Sequence, residues 1–225
     1  MTKKVENSGD ERLENVESAL SRTELFIEKH QNIILIVVGL IVVGVMAFFG
    51  IKKYYLEPRE QEACSQLFAA QKYFENQAYE NALNGDGNNL GFLDVINEYG
   101  STKSGKLAAY YAGISYMKIG NYQEAINFLK KFNGKDSVIA PMALGAIGDC
   151  YMELDNVKEA INYYGKAANK DNNEFTAPLF LQKQAIAYEI DGNKAKAVET
   201  YKLIKKNYPL SNEAVTVDKN IANLK

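Results

Sequence analysis

The sequence predicts an all-α protein: one N-terminal membrane-crossing helix, then an α-solenoid of about three to four helix pairs closed by a C-terminal capping helix. Three observations lead there. Residues 33–51 form an uncharged apolar run, IILIVVGLIVVGVMAFFGI. Further on, one pattern of small, aromatic and alanine residues recurs three times. Short Gly-Asn or Asp-Asn turns punctuate each recurrence, as connections between packed helices require.

The apolar run comes first. Its nineteen residues, at 1.5 Å each, give roughly 28 Å, close to the hydrocarbon thickness of a bilayer. It is apolar on every face, which excludes an amphipathic surface helix. Lys52 and Lys53 end the run, and Phe48, Phe49, Tyr54 and Tyr55 form an aromatic belt beside them, as expected at a membrane interface. A cleaved signal peptide is disfavoured by the acidic 30-residue leader, the long apolar core and the lack of a small-x-small cleavage site. The segment is therefore expected to be a permanent anchor spanning 32–52. Charge leaves its orientation open: Arg12, Arg22 and Lys29 flank one side, Lys52, Lys53 and Arg59 the other. In the tail, 1–31, Leu13, Val16, Leu20, Phe26 and Ile27 fall at near-helical spacing. With a capping box at Ser21–Glu24 they suggest a short amphipathic helix; a solvated tail is the alternative.

The recurrent pattern occupies the rest. Gly113, Tyr116, Gly120-Asn121 and Ala125 align with Gly148, Tyr151, Asp155-Asn156 and Ala160 at a spacing of 35 residues. A third copy reads Ala185, Tyr188, Gly192-Asn193 and Ala197. These residues resemble the tetratricopeptide repeat (TPR), a helix pair with a period of about 34 residues. The small residues let two helices approach, the tyrosines fill the space beside them, and the turn residues reverse the chain. The repeats are placed near 105–135, 140–170 and 177–210, within a domain covering 53–225. Upstream, a long helix Gln61–Leu83, the loop 84–89 and a helix through Phe92–Tyr99 make a degenerate first repeat near 61–100. Ser211–Leu224 is expected to be a capping helix (211–225) with a solvated outer face.

No catalytic constellation emerges, and the chain is read as a non-enzyme with no cofactor and no metal site. His30 is the one histidine and lies at the membrane edge, so it cannot act as base to a nucleophile in the repeats. Gly85-Asp86-Gly87-Asn88-Asn89 lacks the alternating acidic ligands and terminal Glu of a calcium loop. Cys64 and Cys150 have no CxxC spacing and are expected to be small core residues. Of 26 Lys and Arg and 28 Asp and Glu, five and seven lie in residues 1–51, so the other 174 carry 21 of each. A balanced domain without a basic run excludes nucleic acid as a partner, and no small-molecule substrate is indicated.

TPR arrays bind polypeptides on the concave face lined by the first helix of each pair. The repeat frame puts Leu107, Tyr110, Ile114 and Met117 there from one repeat. Met142, Asp149 and Met152 come from the next, and Leu179, Gln182 and Ile186 from the last. This face lacks the Lys, Arg and Asn of carboxylate-clamping repeats. With three methionines it suits an apolar, amphipathic or partly unfolded segment, because thioethers adapt to varied partners. The alternative is that the protein's own helices fill part of it.

The order of parts resembles the YfgM-like family: Phe26-Ile27-Glu28-Lys29-His30, one membrane helix, Lys52-Lys53-Tyr54-Tyr55, then a small repeat domain. Those proteins are ancillary subunits of the bacterial SecYEG translocon. The resemblance implies a single-pass inner-membrane protein with a cytoplasmic N-terminus and a periplasmic repeat domain. It also implies that the protein contacts the translocon, periplasmic chaperones or their clients during translocation. A scaffold for another cell-envelope complex and a cytoplasm-facing repeat receptor are the alternatives.

Overall fold

A computed structural model describes residues 29–224. The amphipathic helix expected in the tail lies outside the described residues. The chain divides into two compact units, meeting at Glu57 and Pro58, and no strand occurs among the described residues.

In the first unit, α1 covers 29–51 and leads into a π-helical turn at Lys52–Leu56, where the Glu57 N–H donates to the Lys52 carbonyl. The apolar side chains of α1 are exposed. It is the one helix among the described residues long and apolar enough to cross a membrane.

The second unit is a succession of helices: α2 (Glu57–Glu75), α3 (Tyr79–Asn84), α4 (Phe92–Tyr99), α5 (Lys103–Lys118), α6 (Tyr122–Lys131), α7 (Ile139–Glu153), α8 (Val157–Ala168), α9 (Thr176–Ile190), α10 (Lys194–Asn207), a 3-10 turn Glu213–Thr216 and α11 (Val217–Asn223). From α4 to α10 each helix packs chiefly on its neighbours in sequence, as stacked repeats do. Three clusters make up the core. One joins α2 to α5 around Phe92 and Val95; the second lies around Ile126, Leu129 and Ile147; the third lies around Tyr164, Phe180 and Tyr201.

The pairing geometry comes from the residues that recur. Ala125, Ala160 and Ala197 are fully buried. A Cβ on Gly113 would lie 2.5 Å from Leu129 Cγ, and one on Gly148 would lie 2.6 Å from the Tyr164 ring, so a larger residue at either place would force the facing side chain to shift. Each turn between paired helices is a Schellman motif. The N–H groups of Asn121, Asn156 and Asn193 donate to the carbonyls of Tyr116, Tyr151 and Tyr188 at 2.8–2.9 Å. The preceding residues Gly120, Asp155 and Gly192 take φ of 80°, 56° and 77°. The three asparagine side chains then cap the following helices, accepting from the N–H groups of Glu124, Glu159 and Lys196.

Three expectations need correction. The continuous helix Gln61–Leu83 is two helices, α2 and α3, broken where Gln77 adopts φ 61°. Its turn repeats the Schellman bonds, Ala78 N–H to Tyr73 carbonyl at 2.9 Å and Gln77 N–H to Phe74 carbonyl at 3.0 Å. The terminal helix expected over Ser211–Leu224 is a 3-10 turn and the short α11, in which Val217 is the buried anchor. Cys64 also departs from the core position expected for it: it is exposed, whereas Cys150 is buried.

Candidate functional site: the faces of the helix pairs

All ten residues selected from the repeat frame lie on α5, α7 and α9, the first helices of three pairs. Nine are half-buried and Ile186 is exposed. They rest on three separate core clusters. Leu107 packs on the first core cluster, Tyr110, Ile114 and Met117 on the second, and Met142, Met152 and Leu179 on the third. Each methionine thus rests its stem on the core and keeps part of its surface in solvent.

Two of the ten are engaged within the chain. Asp149 Oδ1 accepts a 2.7 Å hydrogen bond from the Tyr164 hydroxyl. The Lys183 ammonium donates to both Asp149 oxygens at 2.7 and 2.8 Å. The carboxylate therefore ties α7 to α8 and α9. Burial, then the adjacent Asp149 charge, raises the Tyr164 hydroxyl pKa, keeping it a donor. Gln182 Nε2 donates to Thr216 Oγ1 at 3.4 Å, where the 3-10 turn lies against α9. Part of this face at the C-terminal end is thus covered by the chain itself.

The helix starts are satisfied by side chains of the residues that precede them and, at α5, by one from α2. At α5, Thr102 Oγ1 accepts from the Gly105 N–H at 2.9 Å. Glu60, on α2, accepts from the N–H groups of Lys103 and Ser104 at 2.6 and 3.0 Å. Asp136 caps α7 through the N–H groups of Val138 and Ile139, which lower its carboxyl pKa. Asn173 caps α9 in the same way, and its amide also donates to the Ser137 carbonyl at 2.8 Å. These caps hold successive first helices in register.

A half-open recess lies on another side. It has a volume of about 430 Å3 and is bounded by the end of α6, the segment joining α6 to α7, α7 and α8. None of the ten selected residues lines it. Sequence reasoning missed it, although Lys135 and Lys170 on its rim stand 35 residues apart, the repeat spacing. Among the described residues no cluster of three or more His, Cys, Asp or Glu can hold a metal ion.

Residues 107–135, 143–174 and 181–211 match family models described as tetratricopeptide repeat. The chain carries tetratricopeptide repeats. Solved structures agree in fold. A TPR-like repeat protein described as a kinesin light chain of Podosopora anserina superimposes with TM-score 0.56 at 16% identity, covering 76% of this chain and 87% of that one. A MamA protein superimposes with TM-score 0.52 at 19% identity, covering 72% and 91%. No curated protein matches the sequence. The three matched TPR segments begin within α5, α7 and α9 and run through α6, α8 and α10. Such repeats are scaffolds for protein–protein interaction, not catalytic folds.

Proposed function

We propose that the protein is a membrane-anchored adaptor, fixed by α1, whose TPR units bind apolar or helical polypeptide segments. The observation that carries this reading is the row of half-buried Leu, Ile, Tyr and Met side chains along α5, α7 and α9. Side chains seated on the core yet partly in solvent are ready to bury further apolar area when a partner docks. The resemblance to YfgM-like proteins narrows the proposal to an ancillary role at the SecYEG translocon or in the periplasmic chaperone network. In that setting the TPR units are periplasmic and the N-terminus cytoplasmic.

The test is cross-linking and mass spectrometry of the full chain isolated in mild detergent, repeated for Met117→Glu and Met152→Glu. The expected result is cross-links to SecY, SecE or SecG, or to periplasmic chaperones, that disappear in both variants while helicity and melting stay unchanged. Cross-links confined to a different envelope complex would replace the translocon assignment with that of a scaffold. Variants that unfold would show that these methionines belong to the core, and the docking face would then be wrong.

A further inference from the structure

At 100° per residue, Ala140, Ala143, Leu144 and Ile147 fall on the side of α7 opposite Met142, Asp149 and Met152. The 430 Å3 cavity opens over that side. Leu129, Ala140, Ala143 and Ile147 are buried beneath it. Four lysines, Lys130, Lys135, Lys166 and Lys170, line the same cavity, and no carboxylate does. Residues 52–225 carry equal numbers of acidic and basic side chains, so this concentration of one sign is local.

Two of these ammonium groups are held in place by aromatic faces. Lys166 lies 4.5 Å from the Tyr163 ring centre, and Lys130 lies 5.7 and 5.8 Å from those of Tyr163 and Tyr151. A neighbouring recess on α8 continues the pattern, with Lys158 and Lys166 beside Ile161 and Tyr188 and again no carboxylate.

We propose that this cavity is a second docking site, for an acidic polypeptide segment bearing one bulky apolar side chain. The apolar side chain enters the recess over Leu129 and Ile147, and carboxylates on either side of it pair with the lysines at the mouth. The charge complementarity excludes a basic segment. The apolar floor favours a polypeptide over a phosphate backbone, which has nothing to insert there. It also favours one over a bilayer surface, which meets a protein as a plane of headgroups and not as an inserted side chain.

The experiment uses the full chain in detergent micelles and a fluorescein-labelled, terminally blocked peptide Asp-Glu-Asp-Phe-Glu-Asp-Glu, read by fluorescence anisotropy. Saturable binding is expected, weakening as salt rises. The pair Lys130→Glu with Lys166→Glu, both exposed, should weaken it about tenfold or more. Replacing the peptide's Phe with Ala should weaken it about fivefold or more. Ile186→Glu, an exposed residue of α9 that does not line the cavity, should change it less than about twofold, which separates this site from the adaptor reading. Absence of saturable binding overturns the proposal, as does binding indifferent to the lysines or to the Phe. Lysine-dependent capture by phosphatidylglycerol nanodiscs without peptide binding assigns the strip to lipid headgroups and also overturns it.

Discussion

Glu60 and Ser104 are joined by two hydrogen bonds, the Ser104 N–H at 3.0 Å and its hydroxyl at 2.7 Å both donating to the same carboxylate oxygen. The other oxygen takes the Lys103 N–H. Since Thr102 caps Gly105, three N–H groups that α5 cannot satisfy internally all find acceptors. A carboxylate at a helix N-terminus also meets the positive end of the dipole. Arg59, next to Glu60, donates to the Glu98 carbonyl and lies 5.7 Å from the Tyr99 ring centre. The start of α2 is thus fastened to the α4–α5 junction.

Glu60→Ala should therefore lower stability by about 1 kcal/mol, within the range measured for lost helix caps, without altering helix content. Thermal melts of the wild type and the variant by circular dichroism check this. Glu60→Gln, which keeps an acceptor and loses the charge, should fall between them.

Gly145 offers a sharper packing test than the glycines of the repeat signature. A Cβ there would overlap the ring of Phe180, which is buried in the third cluster. At Gly113 the nearest atoms belong to the aliphatic end of Leu129, which has rotamers to spare. Gly145→Ala is expected to destabilise by about 1–3 kcal/mol, the usual cost of overpacking. Gly145→Ala combined with Phe180→Leu should recover part of the loss. Chemical denaturation curves for the single and double variants decide it, and equal stabilities of wild type and Gly145→Ala would refute the packing.

The three later helix pairs were legible in the sequence because each of their demands needs a particular residue type. Gly113 and Gly148 answer a close crossing, Ala125, Ala160 and Ala197 a second one, and Asn121, Asn156 and Asn193 a cap. The break at Gln77 was not legible, because glutamine has no special preference for positive φ and lies in a helix-favouring stretch. A register signal was nevertheless present. Ala70, Tyr73 and Ala82 precede Gly113, Tyr116 and Ala125 by 43 residues each. The interval exceeds the usual 35 because the chain between α3 and α5 includes a loop and α4. The bonds of Glu60 to α5 and of Lys183 to Asp149 were hidden for a different reason. They depend on where two helices lie in space, and glutamate or lysine on a helix surface is ordinarily solvated.

The loop between α3 and α4 should respond to acid. Asp86 accepts the Tyr73 hydroxyl at 2.7 Å and the N–H groups of Asn88 and Asn89 at 2.9 and 2.7 Å. The Tyr73 hydroxyl first, and the two backbone N–H groups next, hold the carboxyl at about 2, below its ordinary 3.8. A carboxyl lowered by folding stabilises the native loop above its unfolded value and loses that contribution as pH falls through its folded value. The tether is accordingly complete above pH about 4 and lost toward pH about 2. A carboxyl carbon NMR titration should find the Asp86 midpoint near the lower value, and Tyr73→Phe should move it upward. A midpoint at the ordinary value in the wild type would contradict this loop geometry.

The two cysteines should differ in reactivity. Cys64 is exposed on α2 and Cys150 is fully buried in α7. Burial first, then the neighbouring Asp149 charge, pushes the Cys150 thiol up to about 12. Since the thiolate is the reactive form, Cys150 is protected by both access and protonation. A maleimide at neutral pH should modify one thiol in the native protein and two after denaturation, counted by mass spectrometry. The same chemistry addresses the orientation proposed above. A membrane-impermeant maleimide applied to cells with a permeabilised outer membrane should label Cys64 if the repeat unit is periplasmic, and Cys64→Ser should abolish the signal. Labelling that appears only after the inner membrane is breached would place the repeats in the cytoplasm and reverse the topology. A native protein that takes up label at Cys150 as readily as at Cys64 would instead mean that the α6–α7 packing opens on the timescale of the reaction, contrary to its buried place in the second core cluster.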